Sequence, residues 1–209
     1  MYEHIWRDAA MAIGFFHVLG PIAVRSTFRF SAHCKPVQVS LDELPPEVAT
    51  QMAPRIPQAQ SLGFELLGCY DAGELASNTK SFTAYFVNRK TNEFANVSVV
   101  MSPGKIASYF EFSMHLTNGI ALETNTNRIL PLTPSNPEIR VFRFPEIREP
   151  HELYEVHRQL VGKYSGGFSA QGEPKGQELQ RLVRVAENYG CATQRLDTCI
   201  WQMAASITC

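Results

Sequence analysis

The fold is decided by residues 80–126, which read KSFTAYFVNRKTNEFANVSVVMSPGKIASYFEFSMHLTNGIALETNT. Four apolar segments in this stretch are separated by short polar connections, a pattern typical of consecutive strands. From Phe110 to Leu116 apolar and polar residues alternate regularly, so that one side of this segment is apolar and the other polar. The stretch therefore predicts a sheet of mostly antiparallel strands with one face turned toward a core.

Short connections indicate how these strands are joined. Residues 88–93 form a polar loop, and 102–105 carry a Pro-Gly turn. Asn118-Gly119 favours a two-residue type I′ turn, which needs positive φ at both positions. Upstream, residues 64–70 read as a strand that enters the sheet, and 71–79 as a polar connection.

The segments that flank the sheet have helical periodicity. Ser40 and Glu43 have the spacing of a capping box at the start of a helical region over 41–60, in which Pro45 and Pro46 restart the helix and Pro54 and Pro57 kink or end it. An apolar stripe predicts a second helix over 150–164, and residues 138–144 read as a last strand. We therefore predict an α+β fold, with a mostly antiparallel sheet of about five strands and both helices packed on one face.

The domain organisation follows from the same pattern. Residues 31–165 are predicted to form the α+β domain. Residues 1–30 would hold an apolar N-terminal helix, and 166–209 a linker and a helical C-terminal extension.

Residues 9–24 are almost wholly apolar and admit two interpretations. A helix of this length covers about 24 Å, against about 30 Å for a hydrocarbon core. In one interpretation it anchors the chain to a membrane, and the basic residues Arg25, Arg29 and Lys35 keep the domain on the cytoplasmic side. In the other it is a buried core helix or a helix that binds a protein partner.

Charge and cysteine content restrict the class of protein. The net charge is -1 and no segment carries a basic run, which argues against a nucleic-acid partner. The cysteines are odd in number and widely spaced, which favours reduced thiols and a cytoplasmic location. They are Cys34, Cys69, Cys191, Cys199 and Cys209.

The order of several short motifs resembles a group of uncharacterised bacterial proteins. The resemblance rests on the apolar N-terminal segment with its basic exit, and on the boxes at 42–46 and 62–65. It also includes the Asn118-Gly119 hairpin and the Thr- and Asn-rich residues 124–127. It implies a hydrophobic N-terminal helix before a small α+β domain, and it implies no known activity.

No residue set has the spacing of a metal site. His151-Glu152 with His157 looks like a zinc helix, but that motif needs histidines at i and i+4, and the spacing here is i+6. His33-Cys34 lacks a second pair of ligands, and Cys191 and Cys199 lack a nearby histidine. We expect neither a metal nor a cofactor.

Catalytic and phosphate-binding motifs are also incomplete. Glu111, Ser113 and His115 share one face of a strand, but neighbours there lie about 6.6 Å apart, whereas a nucleophile and its base meet at about 3 Å. The glycines at 103–105 and 165–167 do not form a phosphate-binding loop. We assign no catalytic residue.

Two further features, an aromatic set and two polar loops, are candidates for binding a nucleic acid, a ligand or a partner. An aromatic set favours core packing over base stacking, because no basic groove accompanies it. The Asn- and Thr-rich loops at 125–127 and 71–80 are candidates for ligand or partner contacts. The aromatic set comprises Phe82, Tyr85, Phe86, Tyr109, Phe110 and Phe112.

The sequence thus favours a non-enzymatic accessory or interaction domain that residues 9–24 hold at a membrane or a protein partner. The alternative is a small-ligand-binding domain or an enzyme with a site between the sheet and its helices. A pocket lined by Glu111, His115 or the 125–127 loop would favour this alternative.

Overall fold

The computed structural model describes residues 36–76, 78–128, 137–172 and 175–177. The apolar residues 9–24, the cysteines other than Cys69 and residues 178–209 of the predicted C-terminal extension lie outside these ranges. Within the described ranges, no helix has the length and apolar character needed to cross a membrane.

The described chain is an α+β domain built on one open sheet of seven strands. The strands lie side by side in chain order, antiparallel except for the last pair, which is parallel. The predicted fold class is confirmed, while the strand number exceeds the expected five. The strands are β1 (Val37–Val39), β2 (Glu65–Ala76), β3 (Thr79–Asn88), β4 (Glu93–Ser102), β5 (Lys105–His115), β6 (Ala121–Asn125) and β7 (Ile139–Arg143).

The interpretation of residues 71–79 as a connection is wrong. β2 continues to Ala76 and pairs with β3 over this length, with Asp71 opposite Phe82 and Glu74 opposite Lys80. The backbone of β3 supplies the hydrogen bonds here, so polar side chains and Gly73 do not end the strand. Register shifts after Asp71 and Glu74 accommodate the irregular segment.

The Asn118-Gly119 hairpin forms, but not with the expected type I′ turn. The Leu116 N–H donates to the Ile120 carbonyl over 2.8 Å, so three residues rather than two separate the closing pair. Gly119 has a φ of 86°, whereas Asn118 is not among the described residues with positive φ. A three-residue loop with glycine in the left-handed region is the next commonest hairpin connection.

In the described part of the chain, three helices pack on one face of the sheet. α1 (Pro46–Met52) and α2 (Arg55–Ser61) share the helical region predicted over 41–60, with the restart at Pro46 and the interruption at Pro54 that the prolines predict, and α3 (Pro150–Tyr164) matches the second prediction. The Ser40 and Glu43 capping box is present and opens a 3₁₀ turn, Leu41–Glu43, before the α-helix begins. The core lies between these helices and the apolar side chains of β2–β5.

The register divides the side chains of the sheet between two faces. Leu66, Phe86, Ala95, Phe112 and Thr124 lie opposite one another on successive strands and face the helices. The next row faces the other way, and we call this side the polar face. Its central row consists of Tyr85, Asn96, Glu111, Asn125 and Arg143.

Candidate functional site

Glu111 lies at the centre of the polar face, between two asparagines on the neighbouring strands. The Asn96 amide donates to Oε1 over 2.8 Å, and the Asn125 amide donates to Oε2 over 3.0 Å. Asn125 Oδ1 in turn accepts from the Asn127 N–H at 3.2 Å. Both oxygens of the carboxyl group are therefore held as hydrogen-bond acceptors in a fixed orientation.

Burial and the neighbouring polar groups shift the pKa of Glu111 in opposite directions. Burial raises the pKa of the carboxyl group, while hydrogen bonds from Asn96 and Asn125 and the charge of Arg143 act to lower it. Arg143 lies opposite Asn125 on the edge strand β7. Its Nε is buried and has no hydrogen-bond partner in the described part of the chain. The site thus combines a carboxyl group in a fixed orientation with an arginine that influences it electrostatically and whose Nε is unsatisfied.

Tyrosines border this polar row. Tyr85 lies opposite Asn96, and Tyr109 lies two residues before Glu111 on the same face of β5. Burial, with smaller contributions from neighbouring negative groups that include Glu111, raises the pKa of each hydroxyl to about 12. The ring of Tyr70 approaches Tyr85 with 5.7 Å between centroids. The tyrosine hydroxyls therefore stay protonated at neutral pH.

The polar face is also unusual in how deeply its small polar residues are buried. Thr83 and Ser98 are 7% and 3% exposed and share a hydrogen bond of 3.0 Å between their hydroxyls. Burying such groups costs free energy unless they are paired. This face is therefore an organised hydrogen-bonding surface and differs from an ordinary solvated sheet face.

A second polar cluster lies on the opposite face, between the sheet and α3. Glu93 is fully buried and accepts from the Tyr154 hydroxyl at 2.6 Å and from the Thr91 hydroxyl at 2.7 Å. Arg158 pairs with its other oxygen at 3.3 Å. Each oxygen of Glu93 accepts a hydrogen bond, and two of the donors lie on α3. The cluster therefore attaches α3 to the sheet.

His157 is buried beside this cluster. A hydrogen bond of 2.9 Å joins its Nδ1 to Thr124, and its Nε2 has no partner among the described residues. Burial, helped by the charge of Arg158 and opposed by that of Glu93, lowers the pKa of His157 from 6.5 to about 4. The folded protein therefore holds this imidazole in its neutral form.

His157 should make the fold sensitive to mild acid. The pKa of His157 is lower in the folded than in the unfolded state. Its contribution to the free energy of unfolding is therefore fully present above pH 6.5 and is lost as the pH falls toward 4. The loss amounts to about 3 kcal/mol. We expect denaturant titrations across this range to show a steeper decline for the wild type than for His157→Gln. The exposed His151→Gln variant serves as the control, and a decline equal in all three proteins would contradict the assignment.

The other candidate residues from the sequence do not form a catalytic or metal site in the described ranges. Ser113 and His115 share the polar face with Glu111, but both carboxyl oxygens of Glu111 accept from asparagines. His151 is exposed while His157 faces the sheet, so the two rings diverge. Over the described ranges no three His, Cys, Asp or Glu side chains are grouped to hold a metal ion.

The aromatic set divides by face, with Phe82, Phe86, Phe110 and Phe112 in the core and Tyr85 and Tyr109 on the polar face.

Asn96 and Arg143 were missed as site residues, although the sequence carries a signal for Asn96. Ser102 and Lys105 close a two-residue turn. Continuing the antiparallel register from this turn, six residues back along β4 and six forward along β5, places Asn96 opposite Glu111. Arg143 gives no such signal, because β7 joins the sheet in parallel after a long connection.

No family model matches the chain, and no similar protein is found among the curated proteins or the solved structures. The resemblance to uncharacterised bacterial proteins therefore remains a prediction.

Proposed function

We propose that this is a non-enzymatic binding domain that recognises a small polar ligand on the polar face of its sheet. The observation that carries the proposal is the placement of Glu111 and Arg143 in one cross-strand row, with Asn125 between them. The first is a half-buried carboxyl group fixed by two amides, and the second carries a buried, unpartnered Nε. Asn96 and Asn125 would hold the acceptor in place, and the tyrosines would border the ligand.

A purely structural role explains this network less well. Buried polar groups that serve only the fold are almost always satisfied, and each unsatisfied donor costs about 1–3 kcal/mol. The Glu93 cluster meets that expectation, since both of its oxygens have donors. Arg143 Nε does not meet it, and neither does His157 Nε2 beside the Glu93 cluster. A ligand that accepts from Arg143 Nε would remove the deficit.

Binding is favoured over catalysis by the way Glu111 is held. A general base must approach the proton that it removes, with a pKa and an orientation suited to the transfer. Glu111 accepts on both oxygens from side-chain amides, which fix its orientation and do not relay protons. Such an arrangement suits a recognition group.

Glu111→Gln should weaken ligand binding by about tenfold or more. The NH2 group of the new glutamine would face the donating amide of Asn96 or Asn125, so a buried donor would be left without an acceptor. Equilibrium dialysis of the full chain against a mixture of cellular small molecules, read by mass spectrometry, measures this. We expect the wild type to retain at least one compound that Glu111→Gln loses.

Glu155→Gln, an exposed change on α3, is the matched control and should behave as the wild type. Thermal unfolding of each protein verifies that the fold is intact. Equal retention by all three proteins, or no retention by any of them, would refute ligand binding at this face.

We further propose that residues 9–24 attach the domain to the cytoplasmic side of a membrane or to a protein partner. The support is their apolar composition, the basic residues that follow and the bacterial resemblance.

Ile13→Asp should move the chain from the membrane pellet to the supernatant when cells are fractionated, because an Asp costs up to about 3 kcal/mol in a membrane segment. Ile13→Leu is the control. A wild-type chain found wholly in the supernatant without detergent would exclude the membrane and leave a partner-binding or core helix.

A further inference from the structure

One end of the sheet carries exposed apolar and basic side chains where the N-terminal part of the chain enters the domain. β1 starts at this end with Val37, which pairs with Asp71 of β2. The β2–β3 and β4–β5 turns lie at the same end, because the neighbouring strands run antiparallel. We call it the entry end. The described helices leave its β4–β5 hairpin uncovered, since residues 103–107 are all exposed.

The β4–β5 hairpin brings a lysine and an isoleucine to the entry end. Lys105 closes its two-residue turn, in which Gly104 takes a φ of 70°. Ile106 comes next and is 41% exposed. The cross-strand row of Ile106 continues through Met101 to Lys80, which is exposed as well. An exposed apolar side chain and two exposed lysines therefore share this end.

The lysines of the entry end have charge to offer to an external partner. Neither Lys80 nor Lys105 belongs to an ion pair with a described residue, although Glu74 lies opposite Lys80 on β2. At the opposite end of the sheet, by contrast, Arg89 is paired with Glu65 at 3.0 Å. The charge of Lys105 in particular is open to a partner outside the domain.

The exposed groups are distributed along the entry end and do not converge on one point. Val37 is 62% exposed and lies on β1, whereas Ile106 lies on β5, four strand spacings or about 19 Å away. A small ligand needs polar groups that converge in a concave site. Basic and apolar groups spread over this width fit an extended surface instead. An anionic membrane offers negative charge to the lysines and an apolar interior to Val37 and Ile106.

The sequence upstream of β1 leads to the same surface. Residues 9–24 are apolar, Arg25 and Arg29 follow them, and residues 25–36 connect them to β1. A fully extended connection of this length reaches at most about 43 Å, and it joins the domain at the entry end. A membrane that holds residues 9–24 therefore has the entry end within reach.

We infer that the entry end lies against an anionic membrane surface, with Lys80 and Lys105 at the lipid headgroups and Val37 and Ile106 at the apolar boundary. Each lysine near such a surface strengthens attachment by about fivefold. This inference rests on the proposed attachment of residues 9–24 to a membrane and adds the surface of the domain that faces the lipid.

Acetylation of lysines in the full chain, read by mass spectrometry, tests the inference. The chain is reconstituted in vesicles of phosphatidylcholine alone and in vesicles that also contain the anionic lipid phosphatidylglycerol. We expect the anionic vesicles to slow acetylation of Lys80 and Lys105 by about threefold or more, because contact with the headgroups shields both amines. Lys90 is exposed on the β3–β4 turn at the opposite end and is the matched control. Its acetylation should change by less than about twofold, because that end lies away from the lipid.

Three changes should act on this protection in a defined way. Ile106→Asp and Lys105→Glu should each restore acetylation of Lys80, because they remove an apolar contact and a basic contact with the lipid. Lys90→Glu should leave the protection unchanged. All three positions are exposed, and thermal unfolding verifies that each variant keeps its fold. Raising NaCl to about 500 mM should also weaken the protection, because salt screens attraction to the headgroups.

Flotation of the same vesicles separates this inference from the proposed attachment. If the chain floats but Lys80 and Lys105 react equally in both kinds of vesicle, the inference is overturned and the membrane attachment stands. The same holds if Lys90 is protected as strongly as the two lysines of the entry end. If the chain floats with neither kind of vesicle, both proposals fall, and a protein partner for residues 9–24 remains.

Discussion

Replacing Phe112 by alanine should lower the free energy of unfolding by about 4 kcal/mol, the usual cost of removing a buried phenylalanine. Phe112 is fully buried at the centre of β5. Its ring lies 5.5 Å from that of Phe64 and 5.0 Å from that of Tyr154, so it joins the sheet to the segment before β2 and to α3. Its removal would leave a cavity that these fixed elements cannot readily fill. Urea denaturation followed by circular dichroism measures the loss.

Phe168→Ala is the matched control for this prediction. The Phe168 side chain is 49% exposed and follows α3, so the same chemical change there should cost less than about 1 kcal/mol. Equal losses for the two variants would show that the core does not lie between the sheet and the helices as described.

Glu93→Ala should destabilise the fold by about 3 kcal/mol, because it removes the buried acceptor that two hydroxyl groups share and leaves a cavity in its place. The hydroxyls of Tyr154 and Thr91 would lose their acceptor, and Arg158 would lose its counter-charge. Arg158 is half exposed and can turn to water, so most of the cost falls on the two hydroxyls. Denaturant titration at neutral pH gives the measurement.

A double-mutant cycle with Tyr154→Phe isolates the contact that joins α3 to the sheet. Removing the Tyr154 hydroxyl should cost about 1–2 kcal/mol in the wild type and much less when Glu93 is already alanine. Glu155→Ala, an exposed change on the same helix, should have little effect. Additive losses from Glu93→Ala and Tyr154→Phe would mean that the two side chains act independently.

The elements that could be predicted from sequence are those in which local pattern and tertiary environment agree. β3 to β6 alternate between an apolar and a polar face, and the short connections between them enforce antiparallel pairing. α3 shows its apolar stripe and was predicted with its bounds. The second half of β2 was missed, because pairing with β3 overrides the turn preference of Asp71 and Gly73.

The candidate site was only half visible in the sequence. Glu111 was recognised on a polar strand face, but its raised pKa and its two amide donors depend on neighbours from other strands. Arg143 approaches only through the parallel pairing of β7, which depends on contacts distant in sequence. The buried Glu93 cluster was missed for a similar reason, since its donors Tyr154 and Arg158 lie on a helix more than sixty residues away.

The three-residue loop between β5 and β6 limits how this protein can change over evolution. Its length sets Asn125 opposite Glu111 and Thr124 opposite Phe112. Because side chains alternate along a strand, losing or gaining a single residue there would slip the pairing by one and exchange the two faces of β6. Asn125 would turn toward the helices, and Leu122 would leave the core. We therefore expect homologous chains that keep this site to keep the length of this loop, even where its residues differ.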